Sequence, residues 1–192
     1  VLMNRSFWDA TNVALFPKTA KLIRDSGIPC TEVFFASMQG GSEIKLHSDF
    51  TNFVLTSHLA IEIPENGHSK CRLTVGHETN QWINGKVMLF DTSVLHDAIN
   101  ETDETRYILM FRLWHPDLTD VERKALQFTY DCLEFPGLIS ANPEERFMAE
   151  RQAEAMKVFP TTTTLASSNT KGGFGGSSSS TTTKKKKKKG KK

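Results

Sequence analysis

Three residues of this chain have the types and order of a metal site. In the segment KLHSDFTN, His47 and Asp49 stand two apart, so they face the same way if the backbone is extended there. His96 closes the segment VMLFDTSVLHDA, a strand pattern followed by a short turn, which lets a second strand deliver a third ligand. Two imidazoles and one carboxylate on one face leave adjacent coordination positions open. Non-haem Fe(II) oxygenases use that arrangement to hold a chelating cosubstrate and dioxygen together. Zinc is the alternative metal, since it takes such ligands when an open position activates water for hydrolysis. A bare His-x-Asp arises often by chance and reads most plainly as a polar loop after a strand; the distal His96 gives it weight.

Arg106 bears on the choice between these chemistries. It lies ten residues after His96, at the start of the apolar strand pattern YILMF. A keto-diacid cosubstrate needs a fixed cation at its far end as well as a metal at its keto-acid end. Arginine offers a bidentate fork to a carboxylate and stays charged when buried. An arginine at a strand edge is usually only solvated, but here it follows a His-x-Asp and a distal histidine in order.

The elements that must position these residues are mostly strands. Glu32–Met38, Ile44–His47, Phe53–Ile63, Cys71–Val75, Lys86–Phe90 and Arg106–Trp114 read as strands, separated by turn signals at Gly40-Gly41, Pro64–Gly67 and Asn84-Gly85. Several short strands at this spacing predict a sandwich or a jelly roll. Before them, Ala14–Asp25 carries apolar residues at helical spacing with Pro17 in its first turn, and Gly27 and Pro29 stop it. After them, Thr119–Leu133 and Pro143–Lys157 read as helices, with Thr119 and Asn142 as N-caps. Phe7, Trp8, Phe34, Phe35, Phe53 and Phe111 read as core aromatics.

The chain of 192 residues suits one domain over 1–159 and a tail over 160–192. The charge is split between them. Residues 1–160 carry 15 Lys+Arg against all 22 Asp+Glu, a net −7, while 161–192 carry nine Lys and no acid, so the whole chain stands at +2. The tail is rich in Gly, Ser, Thr and Lys, which cannot bury enough apolar surface to offset ordering entropy, and disorder is expected there. Its run Lys184–Lys189 could attract phosphate-bearing partners or an anionic membrane face, though a solvated tail is the simpler reading, and nucleic acid is not an expected partner. Cys30, Cys71 and Cys132 are widely spaced without a C-x-x-C pair and are expected as reduced thiols. No run approaches the ~20 apolar residues of a membrane span, and no signal pattern opens the chain. The first residue is Val rather than Met, which leaves an upstream anchor or signal, and the compartment, open.

The order and spacing of these blocks resemble the aspartyl/asparaginyl β-hydroxylase family. The likeness runs from about Phe16 to Thr119: FPKT at Phe16–Thr19, the His47 motif, HLAIEIP at His58–Pro64, ETNQW at Glu78–Trp82, GKVMLFD at Gly85–Asp91, His96, Arg106, and LWHPDLT at Leu113–Thr119. The resemblance implies a double-stranded β-helix, the jelly-roll, cupin-like fold of the 2-oxoglutarate oxygenases, with flanking helices. It also implies Fe(II) held by His47 and His96, 2-oxoglutarate as cosubstrate with Arg106 on its distal carboxylate, and further contacts to the cosubstrate from His58 and Ser37. One residue of register would put Ala36 in the place of Ser37.

Two departures stand out. The best-known animal member has glycine where this chain has Asp49; here Asp49 is expected to complete a facial triad, the other reading being that it holds a coordinated water. That member also carries arginines where this chain has Val54 and Thr56, which weakens the carry-over of acidic protein residues as substrate. Arg72 could restore some positive charge, or be an exposed structural arginine. Asp91 and Asp97 could orient the imidazoles, surface exposure being the competing reading. His68, His77 and His115 read as solvated or structural.

The implied activity is hydroxylation of an unactivated carbon using dioxygen, on a protein, peptide, lipid or small molecule that the sequence does not identify. The alternatives are a cupin-like metalloprotein that never binds 2-oxoglutarate, and a non-enzymatic binding module attached by its basic tail.

Overall fold

Alternating burial along each strand organises two facing sheets. The protein is seen here as a computed structural model that describes residues 1–49, 51–64 and 70–160. The strands are β1 (Met3–Asn4), β2 (Phe7–Trp8), β3 (Cys30–Met38), β4 (Ser42–His47), β5 (Val54–Glu62), β6 (Cys71–Val75), β7 (Glu78–Gln81), β8 (Val87–Phe90), β9 (His96–Asn100) and β10 (Arg106–Trp114). They form a six-stranded sheet in the order β2-β1-β3-β10-β5-β8 and a four-stranded sheet in the order β4-β9-β6-β7. Every pairing is antiparallel. From β3 onward the chain passes repeatedly between the sheets, which makes the fold a mainly β jelly roll with flanking helices, as the sequence predicts.

The inner faces share one core. Met38, Ala60 and Ile108 from the large sheet meet Cys71, Leu73 and Ala98 from the small one, with Ile63 and Trp82 closing the end. Each large apolar side chain buried this way contributes about 1.5–3 kcal/mol. Asn100, fully buried on β9, ties this end together: its amide donates to the carbonyls of Met38 (3.0 Å) and Glu104 (2.8 Å) and accepts from the Thr102 hydroxyl (2.7 Å). The turn between β3 and β4 passes so close to this connection that a Cβ on Gly40 would lie 2.5 Å from the Asp103 carbonyl carbon, and Gly41 takes φ 67°. The Gly-Gly signal therefore has a steric cause.

Helices cover the outer face of the large sheet. Val13 of α1 (Ala10–Leu15) and Ala20 and Ile23 of α2 (Pro17–Ser26) pack with Leu2, Met3, Val33 and Leu109. The single helix expected over Ala14–Asp25 is thus two. Phe16, at φ −125°, ψ 55°, breaks them, because a residue before proline is pushed out of the helical region while Pro17 starts the next helix. At the other end, α3 (Asp120–Glu134) opens on a Thr119–Glu122 capping box, and α4 (Pro143–Lys157) opens on Asn142. Phe159 packs on Trp8 with ring centroids 4.9 Å apart, so the chain is still part of the folded body at that residue.

Two strands of the small sheet have no strong apolar signal. β7 reads ETNQ and β9 reads HDAIN, and both form by pairing with β6 rather than by propensity. Of the aromatics expected in the core, Phe35 is 39% exposed and packs on Phe16 at the surface. Alternation puts it on the outer face of β3, opposite Phe34. The three cysteines are free thiols. No helix among the described residues is long and apolar enough to cross a membrane. The turn expected at Pro64–Gly67 lies mostly outside the described residues; His68 lies outside them, as does the expected tail from residue 161 onward.

Candidate metal centre and anion pocket

The register between the small sheet's strands creates the candidate metal site. His47, the last residue of β4, pairs directly with His96, the first of β9, and their rings lie 4.2 Å apart. Each ring's Nδ1 faces the backbone carbonyl two residues earlier, His47 to Lys45 at 2.8 Å and His96 to Val94 at 2.9 Å. An imidazole that donates from Nδ1 presents its Nε2 lone pair to a metal, so the backbone sets the same tautomer at both rings. Asp91 and Asp97, considered above for this orienting task, do not perform it: Asp91 accepts from the Ser93 amide in the turn before β9.

Asp49 completes the cluster from beyond the end of β4. Its amide donates to the Thr92 carbonyl (2.9 Å) and the neighbouring Ser48 hydroxyl donates to that of Ser93 (2.9 Å), which ties the segment to the β8–β9 turn. Asp49 Oδ1 lies 3.6 Å from His47 Nε2, and one ligand atom from each of His47, Asp49 and His96 falls within 4.8 Å of the others. The arrangement can close around one metal ion and leave positions free for exogenous ligands.

The same cavity, about 250 Å³, extends from this cluster to Arg106 and His58. Arg106 opens β10 and is 4% exposed. Its Nη2 faces the Met38 sulfur at 3.6 Å and its guanidinium lies 4.4 Å from the Trp82 ring centre, while Nε and Nη1 have no hydrogen-bond partner among the described residues. Burial pushes its pKa down to about 10. His58, on β5, stacks on Trp82 and meets the edge of the Phe90 ring, and neither of its ring nitrogens has a protein partner. Burial first, then the positive charge of Arg106, holds its pKa at about 3, so it is a neutral imidazole. The Thr56 and Thr92 hydroxyls that also line the cavity are likewise buried and unpartnered. A buried unpaired guanidinium beside several unsatisfied polar groups is costly unless an anion binds there. These residues fit a small dicarboxylate reaching from the metal cluster to Arg106.

Other sequence expectations fall differently. Ser37 borders the cavity but is exposed, because the alternation of β3 turns Ala36 and Met38 inward; the register therefore favours Ala36 as the residue facing the site. Arg72 does not line this cavity, and its Nη1 donates to Glu101 at 2.7 Å on the small sheet. His77 is exposed in the β6–β7 turn, and His115 accepts from the Asp117 amide. Arg112, which the sequence reading passed over, lines the cavity and donates from Nη2 to Asp49 Oδ2 at 2.6 Å. Its signal was available, since residues 106, 108, 110 and 112 share one face of β10 at the strand period.

Fold and site together define a jelly-roll protein with a two-histidine, one-aspartate candidate metal centre next to a buried cationic pocket. The sequence profile of the aspartyl/asparaginyl β-hydroxylase family matches residues 1–116, and the chain belongs to that family. Over 114 residues it is 32% identical to the aspartyl/asparaginyl beta-hydroxylase of Mus musculus, covering 57% of this chain and 15% of that protein. Over 93 residues it is 40% identical to aspartate beta-hydroxylase domain-containing protein 2 of Mus musculus, covering 47% and 26% respectively. The chain thus spans a minor part of these relatives. Among solved structures, the cupin domain of Schizosaccharomyces pombe Cnp3 aligns at a TM-score of 0.38 with 14% identity, covering 49% of this chain and 60% of that one.

Proposed function

We propose that this domain is an Fe(II)- and 2-oxoglutarate-dependent dioxygenase that hydroxylates an unactivated carbon, the β-carbon of an Asp or Asn residue in a protein or peptide being one candidate. The observation that carries the reading is the buried Arg106 guanidinium, with no carboxylate partner among the described residues and two unsatisfied donor atoms, in the same cavity as His47, Asp49 and His96. A hydrolytic metal site has no need of such a distal cation, whereas a keto-diacid needs both ends held.

The two Nε2 atoms and Asp49 Oδ1 would hold the metal. When bound, iron and 2-oxoglutarate together supply the oxidising chemistry, with succinate and CO2 as products and dioxygen as the oxidant. Arg106, whose Nε and Nη1 lack hydrogen-bond partners among the described residues, would receive the distal carboxylate. His58, neutral and adjacent, would donate one hydrogen bond to the same ligand without adding charge. Phe90, Ile108 and Met110 line the cavity and give it an apolar wall. Val54 is buried and Thr56 is uncharged, so neither offers a cation to an acidic substrate.

Anaerobic optical titration of the apo-protein with Fe(II) and then 2-oxoglutarate tests the reading. A saturable visible charge-transfer band that weakens in Arg106→Ala supports it. Stoichiometric metal uptake without a band would instead make the domain a cupin-like metalloprotein. No metal uptake at all would leave a binding module.

A further inference from the structure

Arg112 is a cation placed at a site that should attract a cation. It stands on the inner face of β10, opposite Thr56 of β5 and Glu32 of β3 in register. Its Nη2 donates to Asp49 Oδ2 at 2.6 Å, and its Nε lies 3.5 Å from Glu32 Oε2. Asp49 is therefore divided between two neighbours, with Oδ2 on Arg112 and Oδ1 turned to His47 Nε2 at 3.6 Å. All three charged side chains are partly buried, at 24% exposure for Arg112 and Glu32 and 21% for Asp49. A guanidinium this close to a dication site repels the metal unless its charge is already engaged, and here two carboxylates engage it.

We infer that Arg112 is a positioning residue for the metal centre: by holding Oδ2 it makes Asp49 a one-oxygen ligand and fixes which oxygen faces the metal. The physical need is clear from the ligand count. Two imidazoles and one carboxylate oxygen leave half of an octahedral sphere open, while a carboxylate binding through both oxygens would take one of those positions. Glu32, beside Arg112 in register and at ion-pair distance from its Nε without a hydrogen bond, adds a second negative charge, so the chain of contacts runs from β3 through β10 to the segment after β4. The inference rests on the metal-site part of the proposed function and is independent of whether 2-oxoglutarate binds.

Mn(II) alone is a sufficient probe, followed by the loss of its free-ion paramagnetic resonance signal on titration into the full chain. Wild type, Arg112→Met, Arg112→Lys, Asp49→Ala and the Arg112→Met/Asp49→Ala double variant are compared, with circular dichroism as the check on folding. Removing a group that orients a ligand costs about 10–100-fold in metal affinity, so Arg112→Met is expected to bind at least about tenfold more weakly and Arg112→Lys to recover part of that. In the Asp49→Ala background, Arg112→Met is expected to cost nothing further or to tighten binding, because only repulsion is then removed. A merely structural arginine would shift the melting temperature but not this coupling. Equal effects of Arg112→Met in the two backgrounds, or unchanged affinity in the single variant, would overturn the assignment while leaving the metal site intact. Failure of wild type to take up one Mn(II) would remove the metal site, and this role with it.

Discussion

Replacing Arg106 with Met should make the unliganded protein more stable while removing its response to the cosubstrate. A guanidinium whose pKa is lowered on burial to about 10 carries a cost of roughly 3 kcal/mol, at ~1.4 kcal/mol per pH unit. The Trp82 ring 4.4 Å away returns about 1–2 kcal/mol of that as a cation–π contact. Methionine keeps most of the aliphatic volume against Met38 and Ile108, leaving a net gain of about 1–2 kcal/mol for the apo-protein. For a domain of this size that is roughly 2–8 °C in melting temperature. The sign with pH follows from a lowered folded-state pKa. The unfolded chain holds the proton more tightly, so the penalty is fully present below pH 10 and fades only as pH rises beyond it. Between pH 6 and 9 the difference between variant and wild type should therefore be flat. With metal present, cosubstrate at 100 times its Kd should stabilise wild type by about 2.7 kcal/mol and the variant by almost nothing. Differential scanning calorimetry with and without metal and 2-oxoglutarate measures both effects. An apo variant less stable than wild type, together with an undiminished response to 2-oxoglutarate, would refute the reasoning that Arg106 is an unpaired charge awaiting an anion.

Two further outcomes concern stability. His58 is held neutral with a pKa of about 3 against an ordinary 6.5. Unfolding therefore takes up a proton below pH 6.5, and stability that is full above that pH is lost as pH falls, by about 2 kcal/mol at pH 5. Urea midpoints at pH 7 and pH 5 should show a steeper decline for wild type than for His58→Phe, and parallel declines would contradict the buried neutral imidazole. Asn100→Ala leaves the Met38 and Glu104 carbonyls and the Thr102 hydroxyl without their buried partner; a loss of about 2–4 kcal/mol is expected in chemical denaturation, and a change below ~0.5 kcal/mol would show that water replaces the side chain.

Much of the molecule was legible without its tertiary structure, and the reasons are local. The strand patterns of β3, β5, β6 and β10 and the helices α3 and α4 follow from apolar period and capping residues. Those signals depend only on neighbours along the chain, and the blocks from Phe16 to Thr119 carried the family likeness in the same linear way. His47, Asp49, His96 and Arg106 could be singled out because residue type and order already constrain metal and carboxylate chemistry. Whether they meet was not a property of the sequence pattern. It was decided by the β4–β9 register that sets His47 opposite His96, and by the two contacts tying Ser48 and Asp49 to the turn at Thr92 and Ser93. Polar strands such as HDAIN have no signal of their own and exist because β6 pairs with them. Tertiary structure also chose Ala36 over Ser37 as the inward residue, since a one-residue step in a strand reverses the face. It brought Arg112 onto Asp49 across 63 residues of chain, and it made Arg106 a buried charge with no carboxylate partner among the described residues. Composition names the groups available for chemistry; only the pairing of distant strands determines which of them are buried together, and burial is what makes an arginine and a histidine a candidate anion site.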